Sequence, residues 1–350
     1  MKKIVSLLMI CLVTVSLLTG CGGSENTEAA GELNIYVWTE YVPQSVVDKF
    51  TEETGIKVNM STFSSNEDML SKVNAEAEGT YDIVQPTDYM VKLMIEQGLL
   101  EEVNKDKLTN LSNLSEAYLD ATYDPGNVYS IPYQGGVVPI AVNTSKVDLD
   151  IKSYDDLFNP ELKNSIVMLD DYRINIGIAA KSMGYSMSET DPDKLKEISD
   201  KLMMLKDNVK LYDSDSPKSA LISGDCTVAC CWSAEIALAM EENPDIKIVF
   251  PEEGSYMFMD NWAIPKGAKN YDEAMQFIDF MLDAENTQMV IEEFPYLNPN
   301  AAAVEAMGEE YIQNQAKNIP TEVIQKVEYI DNLDVDTLAI YDQMWTELKN

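Results

Sequence analysis

Residues 33–98 read LNIYVWTEYVPQSVVDKFTEETGIKVNMSTFSSNEDMLSKVNAEAEGTYDIVQPTDYMVKLMIEQG, and the order of elements in this stretch decides the fold. Leu33 to Trp38, rich in aromatic and β-branched residues, predicts a strand. Pro43 to Thr54 predicts a helix, with Pro at its start and Gly55 just past its end. Ile56 to Thr62 predicts a second strand, and Asn66 to Glu78 a helix closed by Gly79. Tyr81 to Gln85 predicts a third strand, and Thr87 to Gln97 a helix ending at Gly98. This alternation is the pattern of an α/β lobe with a doubly wound sheet, whose ligand crevice lies at the carboxyl ends of the strands.

The alternation resumes after a run containing Pro and Gly, Tyr129 to Gly136. Strands are predicted at 137–143, 166–169, 209–212, 227–232 and 246–250, and helices at 174–183, 193–206 and 233–240. An extended segment, Tyr256 to Pro265, precedes a helix from Tyr271 to Asp283. The segments 137–143 and 256–265 bracket a self-contained second set of elements. They are expected to be strand hinges between two lobes that close on a ligand. The expected division is a signal peptide at 1–20, a lipidated tether at 21–31, a first lobe of 32–137 plus 260–290, and a second lobe of 138–259 plus 291–350.

The leader sets the compartment. Lys2 and Lys3 precede the apolar stretch Ile4 to Leu18, and Leu18-Thr19-Gly20-Cys21 follows. A basic start, a short apolar core and small residues make a secretory signal. The apolar stretch is shorter than the roughly 20 residues of a membrane span. Leu-Thr-Gly-Cys resembles the bacterial lipobox, in which the Cys is acylated. Cys21 is therefore the expected lipidation site, and the protein is expected on the outer face of the cell membrane or in the periplasm.

The chain of 350 residues carries 60 acidic residues against 25 basic ones, and no histidine. That field repels nucleic acid and anionic ligands. A general solubility adaptation produces the same excess, so charge alone does not establish a cationic ligand. Without histidine there is no Ser-His-Asp or Cys-His nucleophile and no His-ligated metal. Cys226, Cys230 and Cys231 read as small buried hydrophobes, because Cys226 and Cys230 are too far apart along a strand to bond. Asp213 to Ser216 lacks the Gly and distal Glu of a calcium loop and reads as a turn. No metal and no cofactor is expected.

The chemistry concentrates where strands end. Trp38-Thr39-Glu40-Tyr41 follows the first strand and Pro86-Thr87-Asp88-Tyr89 the third. Asp170-Asp171-Tyr172-Arg173 and Trp232-Ser233-Ala234-Glu235 follow strands of the second set. Phe258-Met259-Asp260-Asn261-Trp262 lies in a hinge, and Phe294-Pro295-Tyr296 comes late in the chain. An ammonium leaving water needs an opposite charge or an aromatic face. One charge pair at 4 Å is worth about 4 kcal/mol at an effective dielectric near 20. An aromatic face adds roughly 0.5–2 kcal/mol and gives methylene chains a flat wall. Any one of these residues also has an ordinary reading: the aromatics as packing, Asp88 and Asp171 as helix N-caps. Arg173, the sole arginine, reads either as a bidentate partner of Asp170 or Asp171 or as half of a surface ion pair.

These residues sit in segments that resemble a known family. Asn34 to Pro43, Phe50 to Val58, Ser64 to Glu67, Tyr81 to Val84, Tyr129 to Tyr133, Ala263 to Pro265 and Pro299-Asn300 are similar, in order, to the bacterial spermidine/putrescine-binding proteins. The resemblance implies a type II periplasmic-binding-protein fold and a monomeric receptor that delivers a polyamine to the permease and ATPase subunits of an ABC importer. It implies no catalytic residue. It makes Trp38 and Tyr41 aromatic walls and Glu40 the carboxylate for a terminal amine. Thr39, Thr87 and Tyr89 line the cleft, Asp171 and Asp260 are its central carboxylates, and Trp232, Phe258 and Tyr296 stack on the methylene chain. Glu235 enters the cleft by likeness to the putrescine-preferring members. The chain departs from the spermidine-preferring members at Ile174, at Phe258 and near Ile330, where they carry Glu, Trp and Gln. Those departures shift weight toward putrescine or another cation. Three other readings stay open: a receptor for a different small cation, a surface hydrolase using paired carboxylates, and a sensor or adhesion lipoprotein.

Overall fold

The computed structural model describes residues 31–350. The expected signal peptide, the expected lipidation site Cys21 and the expected tether up to residue 30 lie outside the described residues. Gly31, expected in the tether, opens the first strand, where it pairs with Ile56.

The quoted stretch folds as β1 (Gly31–Trp38), α1 (Gln44–Thr54), β2 (Ile56–Phe63), α2 (Asn66–Ala75), β3 (Ile83–Val84) and α3 (Asp88–Glu96). Gly55 ends α1 at φ 74°, a left-handed conformation that glycine adopts without strain. The Ser65 hydroxyl accepts the Asp68 N–H and starts α2. β1 lies parallel to both β2 and β3.

The run 129–136, for which the sequence pattern predicts no element, holds most of a strand, β4 (Ser130–Val137). Pro132 is tolerated because β4 is last in its sheet and the ladder shifts register opposite it. The single strand expected at 137–143 is two, since the chain leaves the first sheet after β4 and enters the second as β5 (Ile140–Asn143). The second lobe continues with β6 (Ile166–Met168), α4 (Tyr172–Ser182), α5 (Pro192–Leu202), β7 (Val209–Tyr212), α6 (Lys218–Ser223), β8 (Val228–Cys230), α7 (Ser233–Glu242) and β9 (Ile246–Val249). β10 (Met257–Ala263) then returns to the first sheet.

The first sheet has the order β2-β1-β3-β10-β4 and the second β7-β6-β8-β5-β9. Each is mixed rather than purely parallel. β10 runs against β3 and β4, and β5 runs against β8 and β9. These two reversed strands are the ones the chain enters on crossing between lobes. β4, β5, β6, β8 and β10 are buried along their whole lengths, as strands covered on both faces should be. Cys226, Cys230 and Cys231 are buried free thiols.

Helices α8 (Tyr271–Met281), α9 (Ala284–Glu293), α10 (Ala301–Ala306) and α11 (Glu309–Gln313) precede α12 (Thr321–Ile324) and α13 (Val335–Lys349). The second lobe is expected to resume at residue 291, yet α10 and α11 pack on the first. The Asn300 side chain caps α10 and donates to Leu282 O and to Thr287. Tyr311 packs on Ile291 and Ala303. α13 packs on α4 of the second lobe and sets Lys349 against Asp170, and the segment before it already touches that lobe through Lys317 with Glu241 and Glu328 with Lys181. The chain therefore crosses a third time after α11.

β4 and β10 approach so closely that a Cβ on Gly135 would sit 2.5 Å from the Phe258 carbonyl oxygen. Gly135→Ala should overpack this pair and lower the thermal midpoint by about 2–6 °C in differential scanning calorimetry. An unchanged midpoint would contradict the close approach.

Candidate functional site

The carboxyl ends of β1, β3, β6 and β8, together with β10, surround a cavity between the lobes of about 840 Å³, part of it open to solvent. The site residues expected from sequence all stand on its wall: Trp38, Thr39, Glu40, Tyr41, Thr87, Tyr89, Asp171, Trp232, Glu235, Phe258, Asp260 and Tyr296. The wall also includes Asn66, Arg173 and Tyr256, together with Ile174 and Ile330.

Asp260 occupies the middle. It lies on β10 where the ladder to β4 shifts register between Asp260 and Asn261, a bulge that re-aims side chains. Its carboxylate accepts the Tyr41 hydroxyl at 2.8 Å and the Thr87 hydroxyl at 2.6 Å. Thr87 is in turn fixed by Asn66, whose side chain donates to the Thr87 oxygen at 3.0 Å and accepts the Thr87 N–H at 3.2 Å. Among the described residues no lysine or arginine pairs with Asp260. Burial pushes its carboxyl up to about 7, with the two hydroxyl bonds pulling the other way.

Aromatic rings frame that carboxylate. Tyr41 meets Tyr296 edge-on, with centroids 4.9 Å apart, and Trp232 meets Phe258 at 4.9 Å. Trp38 leans on Phe63 at 4.4 Å. The Trp232 indole N–H donates to the Ser214 carbonyl at 3.0 Å, which locks the ring.

One end of the cavity holds Asp171. It caps α4 by accepting the Ile174 N–H at 3.1 Å, so the N-cap and cleft readings hold together. Neither reading of Arg173 is met: among the described residues it pairs with neither Asp170 nor Asp171 and forms no surface ion pair. Arg173 is buried, donates to the Asp331 carbonyl at 2.9 Å and lies over the Tyr89 ring at 4.5 Å. Asp170 turns outward to Lys349. Arg173 thus joins α4 of the second lobe to α3 of the first by a cation–π contact. The Tyr89 hydroxyl donates to Glu67 at 3.1 Å. Ile174 and Ile330, both buried, close this end with apolar surface.

The other end holds Glu40 and Glu235, and a residue that sequence reasoning missed. Lys218, the first residue of α6, donates to both Glu235 oxygens at 2.8 and 3.0 Å, and its Nζ lies 3.7 Å from Glu40. Nothing local marks Lys218, which is brought to the cleft by the turn at 213–217, where Asp213 accepts the N–H groups of Asp215 and Ser216. Glu40, at φ 51°, holds a left-handed backbone uncommon outside glycine. Thr39 is exposed, and its hydroxyl donates to the Phe63 carbonyl at 3.1 Å. Asp88 is not on this wall. It lies behind β10, accepting the N–H groups of Met259 and Tyr89, and burial pushes its carboxyl up to about 8. Thr87, not Asp88, stands at the N-cap of α3.

The sequence pattern of the bacterial extracellular solute-binding proteins matches residues 45–321. The chain belongs to that family. It is 36% identical over 318 residues to the spermidine/putrescine-binding periplasmic protein of Salmonella typhimurium, covering 91% of each chain. It is 30% identical to the putrescine/cadaverine-binding protein of Pseudomonas aeruginosa, covering 93% of this chain and 96% of that one. A putative spermidine/putrescine ABC transporter structure from Listeria monocytogenes superposes with a TM-score of 0.87 at 37% identity, covering 91% of this chain and 98% of that one. The fold of this solute-binding protein is therefore the two-lobed periplasmic-binding-protein fold. Among the described residues no helix is long and apolar enough to cross a membrane.

The carboxyls of the cleft oppose folding of the empty protein at neutral pH. Burial raises Asp171 to about 6 and Asp260 to about 7. Between about pH 4 and those values the folded protein holds protons that the unfolded chain has released, so this contribution to stability falls as pH rises. Asp260→Asn should raise the ligand-free thermal midpoint at about pH 8 by about 2 °C or more and flatten its pH dependence. A lowered midpoint would show that the carboxylate stabilises the empty cleft.

Proposed function

We propose that this solute-binding protein captures a polyamine, putrescine or spermidine, and hands it unchanged to the permease and ATPase subunits of an ABC importer. The observation that carries this reading is Asp260: a buried carboxylate without a cation, held by neutral hydroxyls inside a ring of aromatic side chains. A buried anion of this kind is expensive when empty and strongly favourable when an ammonium enters. Asp171 offers a second carboxylate, and the rings supply the walls a methylene chain requires. The relatives named for spermidine and putrescine, each covering nine-tenths or more of this chain, support the same ligand class. The protein acts as a monomer, anchored through a lipid on Cys21 to the outer face of the cell membrane. It performs no chemistry on its cargo.

Calorimetric titration with putrescine and then spermidine tests the ligand. Asp260→Asn and Asp171→Asn should each weaken binding tenfold or more, since a buried ammonium would lose its counter-charge. Unchanged affinity in both variants would sink the site assignment. Affinity should also fall as pH drops below about 7, because the ammonium must find Asp260 ionised, and the complex should release protons on forming. For the anchor, Cys21→Ala should release the protein from cells into the medium or periplasm.

A further inference from the structure

Two carboxylates of the cavity wall, Glu40 and Glu235, already have an ammonium beside them, supplied by Lys218 from behind the wall. Lys218 Nζ lies 2.8 and 3.0 Å from the two oxygens of Glu235 and 3.7 Å from Glu40, so it stands where those carboxylates would receive a ligand amine. The pair is not a solvated surface bridge. The Glu235 side chain is 6% exposed and that of Lys218 22%, and the Lys218 backbone N–H also points to Glu235, at 3.4 Å. Glu40 belongs to the first lobe and Glu235 to the second, so one lysine satisfies both sides of this end of the cleft. The opposite end is also shut to a further amine, by Ile174 and Ile330, which are 2% and 5% exposed. Among the described residues the remaining wall carboxylates without a lysine are buried Asp260, half-buried Asp171 and exposed Asp215.

We propose that Lys218 is a specificity-determining residue that replaces one ammonium of a longer polyamine, so that the cleft selects a short diamine over a triamine. This inference rests on the polyamine reading above. A diamine brings two ammoniums, one for Asp171 and one for Asp260, with its methylene chain along the aromatic walls. A triamine brings a third, which must lie near Lys218 Nζ, where like charges repel, against isoleucine, where an ammonium finds no partner, or at exposed Asp215, where water leaves an ion pair little worth. Rejection of this kind works by repulsion as much as by fit. Lys218 also keeps Glu40 and Glu235 from remaining as unpaired anions when a diamine binds, so the closed cleft is balanced at both ends.

The test is calorimetric titration of putrescine and spermidine into the wild-type protein, Lys218→Gln, and Lys218→Gln combined with Glu235→Gln. The wild type should bind putrescine at least tenfold tighter than spermidine. Lys218→Gln, which frees Glu235 for a ligand amine, should raise the spermidine-to-putrescine affinity ratio at least tenfold. The double variant removes the freed carboxylate and should lose that gain, while leaving no buried ion unpaired and so guarding against a misfolded single variant. A ratio in folded Lys218→Gln within about twofold of wild type, or a wild type that prefers spermidine, overturns the inference and leaves the polyamine reading standing. No heat and no thermal shift with either amine in the wild type overturns the polyamine reading, and the role of Lys218 falls with it.

Discussion

A carboxylate held out of water with no counter-cation is unfavourable, and Asp260 is placed where that constraint governs the rest of the molecule. It sits on β10, the strand by which the chain returns from the second lobe to the first. Its hydrogen-bond partners come from the ends of other elements: Tyr41 after β1 and Thr87 after β3, with Asn66 behind Thr87. The first-lobe sheet therefore converges on one anion. The second lobe contributes the walls that dry it, through Trp232 packed on Phe258, while Tyr296 from the segment after α9 covers Tyr41.

The same constraint explains why the hinge strands are so tightly made. β4 and β10 pair through Gly135 and Gly136, where a Cβ would collide with the Phe258 carbonyl or with the Phe258 ring. Side chains there would move Phe258 and, two residues on, Asp260. Asp88 anchors the far side of β10 by accepting the Met259 N–H. Strand and carboxylate are thus held from both faces, which gives the preorganisation a binding site needs while the lobes retain freedom to close.

Charges at the periphery do a different job. Arg173 over Tyr89 and Lys218 between Glu235 and Glu40 each connect the two lobes, one at each end of the cleft. These are contacts between residues far apart in sequence, made only when the lobes face each other. Their worth depends on exclusion of water, because an exposed ion pair contributes little and a half-buried one more.

Much of this was legible in the chain. Alternating apolar segments punctuated by Gly55 and Gly98 determined the first lobe's elements, since helix stops and strand composition act locally, whereas α2, expected to run to Gly79, ends at Ala75 with Glu76 as its cap. The aromatic and acidic residues after each strand determined who would stand at the cleft, because strand ends in such sheets converge on one crevice. Other features were not local. The strand at 130–137 was masked by Pro132 and two glycines, which only an edge position and a close neighbour make tolerable. The docking of α10 and α11 on the first lobe depends on Asn300 reaching Leu282 and Thr287. Which carboxylates are free was also decided by tertiary structure alone. Glu40, Asp171, Glu235 and Asp260 look alike in sequence, and they differ because a lysine from α6 reaches two of them and none reaches Asp260. Residue type supplies the charge; the folded distance between charges decides whether it is available.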